Sequence, residues 1–340
     1  MAKLVGVFNT AHSPFLYMPP ERWNEVRANR SLREDVPMDD LDENLKKAER
    51  IKNGFATLKA KVQEVKPDVL IVFGDDQLEC FDFSNFPAFA VYVGDEFEGH
   101  TSNRDRGFGA RGNTDPNGDA ALGAATRGMQ RIQGHPDLGV KLLTGLMERG
   151  FDPAFSMDMP KPEKGIGHAI LRPAESITDY NIPIVPVLVN CYYAPQPTAQ
   201  RCYEFGKAIR DIIEADDSDL RVAVVGSGGL WHTPGAKDAY LDEDWDRGFL
   251  KYLEAGDARG MAEHFDSYVI PEGDRSQYVG ERGRGATGMP GFGGPQGGTR
   301  EACNWIVAAA VGDGTRNTIV DYVPVYSSPV GAAWAYADSF

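Results

Sequence analysis

The sequence predicts an α/β protein of three layers, in which a central mixed sheet is flanked by helices. Short continuous apolar runs rich in Val, Ile and Leu, such as 69–73 and 222–225, are typical of strands that are covered on both faces. Segments with apolar residues at helical spacing lie between these runs. Strands that alternate with helices along a chain indicate a layered α/β domain.

The predicted strands are distributed along the whole chain, at 3–9, 68–74, 89–94, 182–190, 221–228 and 318–326. Helical spacing of apolar residues is found between them, at 41–65, 134–150, 198–215 and 301–311. Thr198 is the predicted N-cap of the third helix. We find no internal repeat and no clear linker, so the sequence predicts a single domain over 1–340.

Three stretches interrupt the regular pattern. Residues 20–60 and 100–133 are expected to be insertions, and the second of them is rich in glycine and charge with weak periodicity. Residues 272–299 are too rich in glycine to pack as a regular element. Because this last stretch leads directly into Glu301, it is predicted to be a glycine-rich lid loop over a site.

Composition limits the classes of function. The 340 residues carry a formal net charge of −15, which argues against nucleic acid and against an anionic membrane surface as partners. The four cysteines show no CxxC spacing, so neither a zinc knuckle nor a redox dithiol is indicated. No targeting segment and no membrane-spanning segment is recognised. Scattered thiols together with these features predict a cytoplasmic protein.

Three of the six histidines stand where an apolar run ends in a Gly, Ser or Pro turn. His12 ends VGVFNTAHSP, His168 follows in GIGHAILRP, and His232 closes VAVVGSGGLWHTP. Ligands of open α/β sheets bind at the edge where the strands end. Imidazole serves there as a metal ligand or as a general acid/base near neutral pH. This arrangement predicts an enzyme's active site.

The order of these motifs resembles a known family. TAHSP, the strand end VLIVFGDD, GIGHAILRP, the segment 183–213, GSGGLWHTP and GTREACNW occur in sequence. The chain resembles the class III extradiol ring-cleavage dioxygenases, the family of the catalytic subunit of protocatechuate 4,5-dioxygenase and of 3-O-methylgallate-type dioxygenases. The resemblance runs from about residue 3 to residue 335, with gaps across the glycine-rich stretches.

This resemblance implies a non-haem Fe(II) that two histidines and a glutamate hold, with open positions for substrate and O₂. Carried over to this chain, His12 matches the first histidine ligand and Glu301 matches the glutamate. His232 matches the general acid/base, which takes a proton from a substrate hydroxyl. His168 matches a supporting catalytic histidine near the bound substrate.

The second histidine ligand of the family has no counterpart here. The family shows Asn-Asp-His after its second strand, whereas this chain reads FGDDQLECF and places Asp76 at the expected position. Asp76 as ligand would give a harder, more anionic site that accepts Mn(II) as well as Fe(II). Alternatively, Gln77 or a residue such as His100 substitutes. In a third explanation the metal is lost and the fold serves another purpose.

The substrate class follows from the same resemblance. A gallate-like or protocatechuate-like catechol, or an aminophenol, is the expected aromatic substrate together with O₂. The residues predicted to bind it are Gly229, Trp231, Tyr192 and Arg300. Other arginines that could face a substrate carboxylate are Arg104, Arg106, Arg282 and Arg284.

The sequence thus predicts an oxidoreductase that inserts both atoms of O₂ into an aromatic ring. A metal-dependent hydrolase or lyase on the same fold is the first alternative. A binding protein that has lost one metal ligand is the second. A homodimer is expected. A separate small helical subunit is the other partner that the resemblance implies, and the hypothesis for this chain is that 20–60 and 100–133 replace its contribution.

Overall fold

A mixed sheet of eight strands forms the centre of a computed structural model of the chain, which describes residues 1–100, 129–233, 235–277 and 293–340. The order of its strands is β6-β3-β7-β2-β8-β1-β10-β9. Two further strands, β4 and β5, form a separate antiparallel pair. The strands are β1 (Lys3–Thr10), β2 (Val69–Gly74), β3 (Phe89–Tyr92), β4 (Glu96–His100), β5 (Met129–Gln133), β6 (Ala154–Ser156), β7 (Ile184–Val189), β8 (Arg221–Ser227), β9 (Thr318–Val325) and β10 (Val330–Ala337).

Four neighbouring strands of the sheet run parallel. β7 pairs with β2, β2 with β8, and β8 with β1, each in parallel register. β3 pairs antiparallel with β7 on one side, and β10 pairs antiparallel with β1 on the other. Because the four central strands share a direction, their carboxyl ends meet at one edge of the sheet.

Helices cover both faces of this sheet. In the described part of the chain they are α1 (Trp23–Arg27), α2 (Leu41–Val65), α3 (Pro136–Glu148), α4 (His168–Thr178), α5 (Ala199–Ala215), α6 (Glu243–Ala255), α7 (Ala258–Asp266) and α8 (Ala302–Val311). α2 and α4 pack with one hydrophobic cluster, whereas α3 and α5 to α8 pack with a second. The predicted three-layer α/β fold with a mixed sheet is confirmed.

Strand β2 shows how the sequence produces the two clusters. Ile71 and Phe73 belong to one cluster, and Leu70 and Val72 belong to the other. Successive side chains of a strand point to opposite faces, so a continuous apolar run supplies both sides of the sheet. All residues of β2 are buried.

Helix α2 begins within the region 20–60 that the sequence predicted as the first insertion and ends just beyond it. Asp40 caps it by accepting a hydrogen bond from the backbone N–H of Glu43 at 2.9 Å. Its Ile51, Leu58 and Val62 pack into the core, so this part of 20–60 is a layer helix.

The glycine-rich stretches are described only at their ends, because 101–128 and 278–292 lie outside the described residues. The predicted lid role of 272–299 and the single-domain assignment stay predictions. None of the helices in the described ranges is long and apolar enough to cross a bilayer.

Candidate metal centre and active site

Several predicted site residues, together with one aspartate that was not predicted as a ligand, converge at the carboxyl edge of the parallel strands. His12 lies two residues beyond β1, Asp75 follows β2 directly, and His232 lies five residues beyond β8. Tyr192 lies three residues beyond β7. Glu301 ends a 3₁₀ turn, Gly297–Glu301, that continues into α8. The parallel direction of the strands therefore assembles the site from distant parts of the sequence.

Three buried side chains form a possible metal site. One ligand atom each from His12, Asp75 and Glu301 lies within 4.8 Å of the other two. Nε2 of His12 is 3.1 Å from Oε2 of Glu301 and 3.7 Å from Oδ1 of Asp75. All three side chains are at most 2% exposed. One imidazole and two carboxylates suit a divalent transition metal such as Fe(II) or Mn(II).

Glu301 lies at the centre of the site's hydrogen bonds. Its Oε2 accepts a hydrogen bond from the backbone N–H of Gly229 at 3.0 Å and lies 3.3 Å from Nε2 of His232. Its Oε1 accepts a hydrogen bond from the Tyr192 hydroxyl at 2.6 Å and a longer one from the Gln77 amide at 3.4 Å. These contacts fix the plane of the carboxylate before any ion binds.

The electrostatics of the site favour a cation. Burial and the nearby charge of Glu301 raise the pKa of Asp75 well above its usual value. Burial would also raise the pKa of Glu301, but the imidazoles of His232 and His12 hold it well below its usual range. Oδ1 of Asp75 is buried and has no hydrogen-bond partner among the described residues. A divalent ion would stabilise the ionised form of both carboxylates, so this donor set fits a metal.

The two imidazoles next to Glu301 are held through their other ring nitrogen. Nδ1 of His12 lies 2.9 Å from the Ser227 hydroxyl, which belongs to the end of β8. Nδ1 of His232 lies 2.9 Å from the carbonyl oxygen of Leu230. Because a carbonyl can only accept a hydrogen bond, this contact places a proton on Nδ1 of His232. Nε2 is then the atom that gains and loses a proton; burial would lower the pKa of His232, but the charge of Glu301 raises it.

His168 joins the site through the carboxylate of Glu79, for which the sequence predicted no role. Oε1 of Glu79 accepts hydrogen bonds from the backbone N–H of His168 at 3.1 Å and from its Nδ1 at 2.8 Å. The His168 ring packs edge-on against the His12 ring, with 4.9 Å between centroids. A side chain at Gly167 would lie 2.2 Å from Oε2 of Glu79, so glycine there leaves room for the carboxylate.

The structure brings Asp75, not Asp76, to His12 and Glu301. The Asp76 carboxylate instead accepts hydrogen bonds from the backbone N–H groups of Cys80 at 2.7 Å and Phe81 at 3.1 Å. Neighbouring side chains at a strand end point in opposite directions, so only one of the two aspartates can face the site. Burial and Glu79 raise the pKa of Asp76 to about 7.

The two other candidates for the missing histidine ligand, Gln77 and His100, differ in their positions. Gln77 does reach the site, where its amide donates to Asp75 Oδ2 at 3.3 Å as well as to Glu301. His100 ends β4 and is not among the described residues whose ligand atoms converge on the metal site.

Two predicted substrate-binding residues lie in the core instead. The Trp231 indole is fully buried and donates to the Tyr240 carbonyl oxygen at 2.9 Å. The Arg300 guanidinium is buried and donates to the carbonyl oxygens of Gly293 and Pro197. These contacts are with backbone carbonyl oxygens and not with the converging ligands, and a role in substrate binding stays a prediction for both. Arg104, Arg106, Arg282 and Arg284 lie outside the described residues.

The other two predicted substrate-binding residues lie at the site and contact Glu301. Tyr192 donates from its hydroxyl, whereas Gly229 donates from its backbone N–H. A Cβ at Gly229 would lie 2.7 Å from the His232 ring, so glycine there permits the close approach. Burial and Glu301 raise the pKa of Tyr192 well above its usual value, which keeps the phenol protonated as a donor.

Sequence comparisons place these residues in a family context. The family model "Catalytic LigB subunit of aromatic ring-opening dioxygenase" matches residues 36–272. The chain is similar to a gallate dioxygenase of Pseudomonas putida, with 32% identity over 136 residues that make up 38% of each chain. It is also similar to a 2,3-dihydroxyphenylpropionate/2,3-dihydroxicinnamic acid 1,2-dioxygenase of Photorhabdus laumondii, with 25% identity over 54% of this chain and 49% of the relative.

The chain thus spans less than half the length of these two relatives. A solved structure of an uncharacterized Escherichia coli K12 protein aligns over 98% of this chain and 99% of its own length, at 12% identity and a TM-score of 0.42. A score this low supports no conclusion about fold or function.

Proposed function

Because the chain belongs to the family of catalytic LigB subunits of aromatic ring-opening dioxygenases, we propose that it cleaves the ring of a catecholic compound with O₂. The reaction proposed is extradiol cleavage, next to the two hydroxyl groups. The observation that carries this proposal is the buried group of His12, Asp75 and Glu301 with His232 beside it. It combines a metal donor set with a proton acceptor at the edge of the sheet where α/β enzymes bind ligands.

His12, Asp75 and Glu301 are the proposed ligands of a divalent metal, Fe(II) in the first place and Mn(II) as the alternative. When bound, this metal supplies a redox-active Lewis acid to which a vicinal diol and O₂ can bind. Asp75 replaces the Asp76 of the sequence prediction, since only Asp75 faces His12 and Glu301. The Tyr192 hydroxyl holds Oε1 of Glu301 and leaves Oε2 toward His12.

His232 is the proposed general acid/base. Its Nδ1 is held by the Leu230 carbonyl, so Nε2 can accept the proton of a substrate hydroxyl and return it later. His168 is the proposed supporting residue, with Glu79 holding its Nδ1. The site residues are almost fully buried, which limits water and strengthens these polar contacts.

The proposed substrate is a vicinal diol that carries a carboxylate. Both relatives described above are named for such compounds, gallate in one and 2,3-dihydroxyphenylpropionate in the other. Protocatechuate, 3-O-methylgallate and 2-aminophenol belong in the same test because the family resemblance implies these substrate classes as well. A homodimer, a cytoplasmic location and independence from a small helical subunit stay predictions for the whole protein.

The test is oxygen uptake by protein that has been loaded with Fe(II) under anaerobic conditions. The panel is gallate, protocatechuate, 2,3-dihydroxyphenylpropionate, 3-O-methylgallate and 2-aminophenol, with a parallel series loaded with Mn(II). Uptake together with a yellow ring-opened product is expected for at least one of them. No uptake by protein shown to hold iron would overturn the proposal and favour the hydrolase or lyase alternative. Protein that binds no metal at all would favour the binding-protein alternative.

A further inference from the structure

A cleft next to the His232 segment contains an arginine without a counter-charge. Arg30, Ser31 and Leu32 form one wall, and Thr233, Ala236 and Ser328 contribute to the others. The cleft opens to solvent, and about 230 Å³ of empty space lies within it and its open mouth together. Because most of this space lies outside the walls, the cleft admits no more than one small polar group and cannot enclose a drug-sized ligand.

Arg30 has no acidic partner within the described ranges. No ion pair or side-chain hydrogen bond joins its guanidinium to another described residue, and its Nε is shielded from solvent without a partner. Burial alone lowers its pKa, and no carboxylate acts against that effect. Arg30 is half-buried, so its permanently charged guanidinium is only partly hydrated and has no anion beside it within the described ranges.

One polar group without a hydrogen-bond partner among the described residues accompanies this charge. The Thr233 hydroxyl lines the same cleft, and it is buried with no hydrogen-bond partner among the described residues. The side chain of Thr233 is 3% exposed. A guanidinium fork beside an unused hydroxyl donor is the donor set that a carboxylate or phosphate oxygen requires.

The walls of the cleft are held in place by backbone contacts. Leu32 forms an isolated parallel bridge with Ala239, and the backbone N–H of Ala239 donates to the Ser31 carbonyl oxygen at 2.9 Å. The opposite wall continues directly into the site, because Thr233 follows His232 and His232 forms a bridge with Val330. The cleft is therefore preformed and adjoins the segment that carries the proposed acid/base.

We propose that this cleft is a binding site for a small oxyanion of the carboxylate class, with Arg30 as its principal ligand and Thr233 as a second donor. The anion is the carboxylate of the aromatic substrate itself or a free carboxylate or phosphate. The site does not depend on the ring-cleavage reaction, and only the choice between these two sources rests on the proposed function.

The first experiment measures the melting temperature of the metal-free full-length chain with benzoate, acetate, phosphate or phenol. At tenfold its Kd, an anion that binds only the folded chain is expected to raise Tm by roughly 2–4 °C, whereas neutral phenol leaves it unchanged. In R30Q the rise in Tm that the anion causes is expected to vanish. The matched control is R33Q, because Arg33 already pairs with Asp35 at 2.5 Å and stacks on Tyr240, and its anion response should equal that of the wild type.

No rise in the wild type, or an equal rise in R30Q, would overturn the proposal. If R30Q does not fold, T233V and R30K provide the same comparison, with a reduced anion response expected in both. The second experiment compares R30Q with the wild type on protocatechuate and on catechol, which lacks the carboxylate. A rise in KM of about tenfold for protocatechuate alone would identify the substrate's carboxylate as the anion. Unchanged KM values together with a lost thermal response would identify a free anion.

Discussion

The hydroxyl of Tyr192 donates a 2.6 Å hydrogen bond to Oε1 of Glu301, while the other carboxylate oxygen faces His12 and His232. This contact engages Oε1 of Glu301 with a structural donor. Oε2 stays next to His12, on the side of the proposed metal. It also joins two segments that are distant in sequence, since Tyr192 follows β7 and Glu301 precedes α8.

Replacing Tyr192 with phenylalanine is therefore expected to weaken metal binding by roughly 10–100-fold, because a ligand loses the donor that orients it. Calorimetric titration with Mn(II), which is stable in air, measures the effect. The matched control is Tyr193→Phe, since Tyr193 packs in an aromatic group with Phe83 and Phe86. Equal metal affinity in Tyr192→Phe and the wild type would contradict this role.

The two neighbouring aspartates are expected to respond in opposite ways. Asp75→Asn should reduce Mn(II) affinity by roughly 100-fold, because it removes one of the two anionic ligands. Asp76→Asn should leave the affinity within about threefold of the wild type and instead lower the free energy of unfolding by about 1 kcal/mol, since the loop hydrogen bonds weaken. Titration and denaturant unfolding of both variants check this. A larger loss of metal in Asp76→Asn would restore the assignment that the sequence suggested.

His232→Ala is expected to reduce kcat by roughly 10²–10⁴-fold while the protein keeps its metal. The reason is that His232 contacts Glu301 but is not one of the three converging ligands among the described residues. Metal content and oxygen uptake, measured on the same preparation, separate the two functions. Loss of the metal would show that His232 is a ligand.

Glu79 is expected to act through His168. With Glu79 ionised, the proton of His168 is held on Nδ1 and Nε2 carries the lone pair. Glu79→Ala should lower kcat by roughly 10–100-fold with little change in KM, and Glu79→Gln should recover most of the rate because its amide oxygen still accepts.

The double variant with His168→Ala tests whether Glu79 and His168 act as a unit. It should be no slower than His168→Ala alone, since the two side chains act together. Glu175→Gln, which removes the partner of Arg172 on the same helix α4, is the control and should retain the wild-type rate. Additive losses in the double variant would indicate a purely structural role for Glu79.

Asp246 is expected to make stability depend on pH. It accepts hydrogen bonds from the Trp231 backbone N–H and the Tyr322 hydroxyl, both at 2.7 Å, and burial raises its pKa to about 8. The folded chain thus holds a proton that the unfolded chain releases at a pH of about 4. The free energy of unfolding should therefore fall as pH rises from about 4 to about 8.

Asp246→Asn should flatten this dependence and raise stability at pH 8 by roughly 2–5 kcal/mol relative to its effect at pH 4. Urea unfolding at both pH values measures the difference. Parallel pH profiles in the variant and the wild type would show that Asp246 is ionised in the folded chain throughout this range.

Much of the site could be predicted from one sequence because its residues follow strands. His12 and His232 each follow an apolar run, and parallel strands bring their carboxyl ends to a common edge. Glu301 was predicted from its position before a helix and from the family resemblance. Continuous apolar runs likewise determined the layered fold, since such strands need helices on both faces.

Side-chain direction and long-range contacts were decided only by the tertiary structure. The sequence shows two adjacent aspartates but not which of them faces His12, because that depends on how β2 ends and how the next loop turns. Glu79 and His168 are 89 residues apart, and no local pattern links them.

Trp231 and Arg300 also show that position in the sequence does not determine which way a side chain points. Both stand next to site residues in the sequence, yet the Trp231 indole and the two terminal amino groups of Arg300 donate to backbone carbonyl oxygens. Arg30, which carried no motif, lies by Thr233 because two distant segments pair there. Periodicity determines which elements form and where they end, whereas the packing of elements that are far apart in sequence determines which polar groups meet.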